Sequence, residues 1–203
     1  MAEIKAVILD LFGTLVDSSK NKKPQAALLK ELGLFDEEFK AAYRLASTQE
    51  FHDLTSLIRR ISPDTKVDAG PYQKQVDYEI SESGLFPDAL PVLTRLRKME
   101  LKICLISNLM TQYKQVYFNL GLGQYFDTAI FSCEVGFRKP EKDIYRISLE
   151  RLGLSPAEAI MFGDDLESDV MGPLSVGMNA VHLDRGGRSP GSIKTLDEMF
   201  QYI

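Results

Sequence analysis

Apolar residues along this chain fall into two patterns that alternate. Short, mostly apolar strand-like runs occur at Ile4 to Leu9, Lys102 to Ile106, Thr128 to Phe131, Ala159 to Phe162 and Ala180 to Leu183. Runs of this length, without polar alternation, predict strands covered on both faces. Between the later runs the apolar positions recur at helical spacing. Leu90, Leu93 and Leu96 form one stripe within Ala89 to Met99. Tyr113 to Leu120 and Ile144 to Leu152 carry others, closed by Gly121 and Gly153, residues suited to a left-handed helix C-cap. Strand and helix in alternation predict a parallel, doubly wound, Rossmann-like α/β sheet.

The stretch 18–83 departs from this alternation and holds no strand pattern. Its apolar positions suggest four helices. They are marked by Ala26, Leu29, Leu32 and Leu34; by Phe39, Tyr43 and Ala46; by Leu54, Leu57, Ile58 and Ile61, stopped at Ser62-Pro63; and by Tyr72 to Ile80. The expected organisation is a core of residues 1–17 and 84–203 with a helical cap, residues 18–83, inserted after the first strand. Asp17-Ser18-Ser19 and Ser83-Gly84 would be its hinge strands. Phe39, Tyr43, Leu54 and Leu57 are expected in the interior of that bundle. The tail reads as a loop from Gly186 to Gly191, then a short helix packing back through Leu196, Met199 and Phe200.

Composition narrows the function classes. The 203 residues are 44% hydrophobic, ordinary for a globular protein, and the formal net charge of -5 carries no nucleic-acid footprint. A small anionic substrate would need a local basic group rather than a global field. Cys104 and Cys133 lie in or beside apolar runs and read as free thiols in a reducing compartment. No apolar run reaches the length of a membrane span, and the N-terminus leads straight into the first strand without a signal-peptide pattern. A cytoplasmic monomer or homodimer is expected.

Chemistry concentrates at strand ends. Asp10 closes the first run. Ser107-Asn108 follows the second, Gly136-Phe137-Arg138-Lys139-Pro140 follows the third after a short loop, and Gly163-Asp164-Asp165-Leu166-Glu167-Ser168-Asp169 follows the fourth. In a parallel sheet these ends share one edge, where such folds bind ligands. Each signal alone has an ordinary reading: Asp10 as a helix N-cap, Ser107-Asn108 as a turn, Lys139 as a solvated lysine, the acidic cluster as a helix start. Together they describe a site. Asp10 can act as nucleophile, as aspartate does in aspartyl-phosphate enzymes. Asp10, Asp164 and Asp169 offer hard oxygens suited to Mg²⁺. Ser107, with backbone N–H groups near Gly13 and Asn108, can hold phosphate oxygens, and Lys139 adds a compact positive charge.

The order Asp-x-x-Gly-Thr-Leu, Ser-Asn, Arg-Lys-Pro, Gly-Asp-x-x-x-x-Asp resembles that of the haloacid dehalogenase superfamily of hydrolases over essentially the whole chain, and stretch 18–83 resembles that family's small helical cap. The resemblance implies Asp10 as nucleophile assisted by Thr14, and Ser107 and Lys139 orienting the intermediate. It also implies Mg²⁺ held by Asp10, Asp164 and the backbone carbonyl of Phe12, with Asp169 in support. Phe12 departs from the pattern, since phosphatases of the family carry there the aspartate that protonates the leaving group. Loss of such an acid costs about 10²–10⁴ in rate. An aromatic residue at this position is a dehalogenase trait, whereas Asp164 is a phosphatase trait. The expected function is therefore a Mg²⁺-dependent phosphohydrolase weakened on ordinary esters, with a 2-haloacid dehalogenase or a non-catalytic binding protein as alternatives. Arg44, Arg59 and Arg60 are candidates for a cap arginine. Thr48 to Asp53 is a candidate specificity loop that can present Phe51 or His52; the alternative there is a helix cap at Asp53 with His52 exposed.

Overall fold

The computed structural model describes residues 3–203. Its centre is a five-stranded parallel sheet of order β3-β2-β1-β4-β5. The strands are β1 (Ala6–Leu9), β2 (Lys102–Ser107), β3 (Thr128–Phe131), β4 (Ala159–Gly163) and β5 (Asn179–His182). The reversal of order at β1 places a crevice above its C-terminal end, between β2 and β4. Strand bounds fall within two residues of those expected.

The runs lack polar alternation because both faces of the sheet are covered. Val7, Leu9, Ile103, Leu105, Ile160 and Phe162 join one core, with Val92, Leu93 and Leu96 of α5 (Ala89–Lys98). Ala6, Ile8, Cys104, Ile106 and Met161 join the other, with Ile144, Tyr145, Leu149 and Leu152 of α6 (Lys142–Leu152). Alternate residues of each central strand thus serve opposite cores, as the period-2 geometry of a strand requires. Leu90 is a correction to the expected stripe of α5, being 40% exposed while Ala89, Val92, Leu93 and Leu96 are buried. At 3.6 residues per turn it lies roughly 60° beyond the buried arc.

Residues 24–82 form α1 (Pro24–Glu31), α2 (Asp36–Thr48), α3 (Leu54–Ile61) and α4 (Gly70–Glu82). Helix α1 packs on α2 and α4, and α3 on α4. The chain passes to and from this stretch through two adjacent backbones: Asp17 N–H donates to the Gly84 carbonyl at 2.9 Å, and Phe86 N–H to the Leu15 carbonyl at 2.9 Å. The stretch does not bury a core of its own. Leu28, Leu54, Leu57 and Val76 belong to the same apolar cluster as β1 and α5, joined to it by Leu11, Leu15, Val16 and Tyr113.

The C-terminal segment is a 3₁₀ helix, Leu196–Gln201, tighter than the helix expected. Leu196 and Met199 are buried, and Phe200 packs against the core beneath the Arg95 guanidinium, 3.6 Å from the ring centroid. Asp88 anchors this segment: it takes Arg185 through both carboxylate oxygens at 2.9 Å and the Leu196 N–H at 2.9 Å. Arg185 also donates to the Thr14 carbonyl at 2.7 Å and stacks over Phe86. Burial works against the Asp88 carboxylate, but Arg185 and the Leu196 N–H outweigh it and hold its pKa below the ordinary range.

Asp88→Ala, which orphans a half-buried arginine, is expected to cost about 2–4 kcal/mol at pH 7 in urea denaturation. Because the folded-state pKa of Asp88 is lowered, its contribution is fully present at neutral pH. The gap between wild type and variant should shrink as pH falls below about 4.

Candidate active site

The turn after β1 shapes the crevice. Val16 N–H and Leu15 N–H both donate to the Leu11 carbonyl, at 2.8 and 2.9 Å, and Gly13 N–H donates to the Val16 carbonyl at 2.8 Å. Gly13 sits at φ 89°, a conformation that favours glycine. Space makes the same demand, because a Cβ there would lie 2.2 Å from Asp164 Oδ2. Gly163 is required in the same way, since its Cβ would lie 2.3 Å from Asp169 Oδ2. These two glycines let the carboxylates of the β4 loop approach the β1 turn.

Asp10, Ser107, Lys139 and Asp169 are buried together at the C-terminal edge of the sheet. Lys139 Nζ donates to Asp10 Oδ1 and to Asp169 Oδ1, each at 2.6 Å. Burial opposes the Lys139 ammonium, but the two carboxylates outweigh it and push its pKa up. Burial, reinforced by Asp169 and Asp164 and opposed by Lys139, pushes Asp10 up to about 7. Asp169 also accepts the Asp165 N–H at 3.0 Å, and Asp165 caps the following π-helical segment, Leu166–Met171, by accepting from Ser168 N–H at 2.7 Å.

Carboxylate oxygens of Asp10, Asp164 and Asp169 lie within 4.8 Å of one another. One ammonium faces three carboxylates, so the cluster carries excess negative charge. Its donors are all hard oxygens, which fits a small divalent cation. Thr14 directs its hydroxyl to Asp164 Oδ1 at 3.4 Å, whereas the sequence reading paired it with Asp10. Asn108 spends its side chain on the Lys139 backbone, donating to the carbonyl and accepting from the N–H, both at 2.8 Å. Phe12 is half-buried with its ring edge-on to Tyr113, centroids 5.8 Å apart.

A cavity of about 340 Å³ opens over this cluster, lined by Asp10, Phe12, Ser107, Lys139 and Asp164 below and by Gln25, Tyr43 and Arg138 among others. Three of these were not picked out as site residues. Tyr43, expected in the bundle interior, is half-buried and faces the cavity, while Leu54 and Leu57 are buried as expected. Arg138 lay inside the Arg-Lys-Pro motif but had no assigned role. Gln25 carried no signal, being one polar residue on a helix. Arg59 and Arg60 are exposed, and Arg44 pairs with Glu141 at 2.9 Å. None of the three lines the cavity. His52 is exposed and outside it, and Asp53 caps α3 by accepting from Ser56 N–H at 2.6 Å, the plainer of its two readings. Cys104 and Cys133 are buried free thiols. Burial pushes both pKa values up, Cys133 to about 11, so neither is a nucleophile at neutral pH.

The crevice is bridged on several sides. Tyr113 OH donates to Glu79 of α4 at 2.6 Å, Phe51 N–H donates to the Thr111 hydroxyl at 3.1 Å, and Lys114 reaches Glu50 at 3.0 Å.

A family model described as haloacid dehalogenase-like hydrolase matches residues 4–177. A glyceraldehyde 3-phosphate phosphatase of Methanopyrus kandleri is 32% identical over 90% of this chain and 85% of its own length. A phosphoserine phosphatase of Thermus thermophilus is 34% identical over 51% of this chain and 42% of its own. Among solved structures, a HAD phosphatase from Thermococcus onnurineus superposes with a TM-score of 0.71 at 28% identity, over 98% of this chain and 97% of that one. A 2-haloacid dehalogenase from Pseudomonas syringae shares the fold, with a TM-score of 0.68 at 23% identity over 98% and 97%. No helix among the described residues is long and apolar enough to cross a membrane.

Lys139→Met would leave Asp10 and Asp169 buried without their counter-charge. It is expected to cost about 3–5 kcal/mol at pH 7. The loss should be smaller at pH 5, where Asp10, whose pKa is pushed up, can take up a proton; urea titrations at the two pH values check this.

Proposed function

The chain belongs to the haloacid dehalogenase-like hydrolases, and from that premise we propose that it hydrolyses a small phosphorylated metabolite through a phosphoaspartyl intermediate on Asp10. The observation that carries the reading is the Asp10–Lys139–Asp169 triad beside Asp164 at the floor of the cavity. The phosphatase names of the relatives support it. Residues 18–83 are read as a cap over the core of residues 1–17 and 84–203. Two buried free thiols support a cytoplasmic location.

In this reading an Asp10 carboxylate oxygen attacks phosphorus, and the bond to the ester oxygen breaks with its electron pair on the leaving group. Water then attacks the phosphoaspartate, releasing phosphate and regenerating Asp10. Lys139 orients Asp10 and offsets the charge on the phosphoryl oxygens, and Ser107 with the Asn108 N–H holds those oxygens; the Gly13 N–H, expected to join them, is taken by the Val16 carbonyl. Thr14, through Asp164, is a positioning residue. Magnesium would be held by Asp10, Asp164 and the Phe12 carbonyl with Asp169 in support, and would supply positive charge against the repulsion between anionic nucleophile and anionic substrate. Phe12 has no proton to give, so the leaving group takes one from solvent. Acyl and aryl phosphates should therefore react well, and alkyl phosphates more slowly.

The aromatic side chain at Phe12 favours a second reading, a 2-haloacid dehalogenase, since halide leaves without a proton. The carboxylate of Asp164 beside Asp10 weighs against it.

Acetyl phosphate and p-nitrophenyl phosphate are expected to turn over with Mg²⁺ and not with EDTA, with activity abolished in Asp10→Asn. No turnover of either, with chloride released from 2-chloropropionate, would transfer the assignment to the second reading.

A further inference from the structure

The cavity wall contributed by α1, α2 and the Lys139 loop holds polar groups that the protein does not satisfy. Gln25 is 8% exposed; its Nε2 lies 3.4 Å from Tyr43 OH, and its Oε1 is buried without a hydrogen-bond partner. The Arg138 guanidinium lies 5.6 Å from the centre of the Tyr43 ring, and its Nε is also buried without a partner. No salt bridge involves Arg138 among the described residues. A buried acceptor or donor without a partner is destabilising. The two groups border one cavity just beneath its surface, and a ligand that turns the side chains outward pairs them.

We propose that Gln25, Tyr43 and Arg138 form a second recognition site for the non-phosphate end of the substrate, and that this substrate is a short phosphorylated hydroxy acid. The inference rests on the phosphohydrolase reading. With the phosphoryl group at Lys139 and Ser107, the substrate carboxylate meets the planar fork of Arg138. A substrate hydroxyl donates to Gln25 Oε1, and Tyr43 OH, which accepts from Gln25, keeps its own proton to donate. The planar fork of Arg138 suits a carboxylate, and Lys23, exposed, is a further positive charge in the cavity lining. The volume of about 340 Å³ lies at the small end of ligand sites, which favours a short chain. Contacts remote from phosphorus also suit an active site without an acid at Phe12, because binding energy gained there lowers the barrier at the reacting centre.

Glycerate 3-phosphate, glyceraldehyde 3-phosphate and glycerol 3-phosphate differ only at the carbon farthest from phosphorus, and 3-phosphooxypropionate keeps the carboxylate at the same chain length without the hydroxyl. The expected order of kcat/KM puts glycerate 3-phosphate about 10- to 100-fold above glycerol 3-phosphate, the factor one charge-assisted hydrogen bond supplies. Arg138→Leu should bring that ratio near one. Gln25→Leu should bring glycerate 3-phosphate down toward 3-phosphooxypropionate. The inference is overturned if wild type shows no preference for the carboxylate, if a sugar bisphosphate is preferred, or if Arg138→Leu lowers both glycerol and glycerate esters equally, which would place Arg138 on the phosphoryl group. Turnover of acetyl phosphate and p-nitrophenyl phosphate without the carboxylate preference overturns this inference alone. No turnover of any phosphate ester overturns the phosphohydrolase reading and this inference with it.

Discussion

A buried lysine shared between two carboxylates is the constraint on which the rest of the site depends. Lys139 contacts Asp10 at the end of β1 and Asp169 beyond β4, each at 2.6 Å. A charge taken so far out of water is tolerated only when it is paired and fully hydrogen-bonded. The surroundings are organised to that end. Asn108 grips the Lys139 backbone from the end of β2 on both its N–H and its carbonyl. The Asp165 N–H fixes Asp169. Glycines at 13 and 163 remove the side-chain atoms that would otherwise hold the carboxylates apart. Segments following β1, β2, β3 and β4 therefore meet at one ammonium, and the register of the parallel sheet sets where they meet.

The helical stretch completes the crevice rather than only covering it. Its apolar residues run into the core beneath β1, and its polar groups cross the opening, the Glu79 carboxylate to Tyr113 and the Phe51 N–H to Thr111. Tyr113 joins the two sides: its ring packs on Phe12 and its hydroxyl is taken by a carboxylate of α4. Phe12 thus has a packing role, and Tyr113, tied to Glu79, is held against it. Water exclusion and substrate contact then depend on the same few side chains.

The elements were legible because both faces of a parallel sheet are buried, which leaves runs such as Val7-Ile8-Leu9 that no amphipathic helix produces. The cluster at the sheet edge was legible for a related reason. Once the strands are parallel, Asp10, Ser107, Lys139 and Asp164 fall on one side by topology alone. Tyr43 shows where the pattern fails. An aromatic residue at helical spacing is the same letter whether it fills a bundle or faces a cavity, and only the packing of α1 against α2 separates the two. Leu90 fails similarly, since a 3,3 spacing drifts off the buried face of α5 within one step.

The chain alone determined the order of strands and helices, the reactive residues at the strand ends and the absence of an acid at Phe12, because these follow from local periodicity and residue chemistry. The tertiary structure decided which groups pair. It gave Thr14 to Asp164, Asn108 to the Lys139 backbone and Arg44 to Glu141, and it left Gln25 and Arg138 unsatisfied at the cavity wall. Pairing depends on distances of a few ångströms between segments far apart in sequence, and no local pattern encodes those distances.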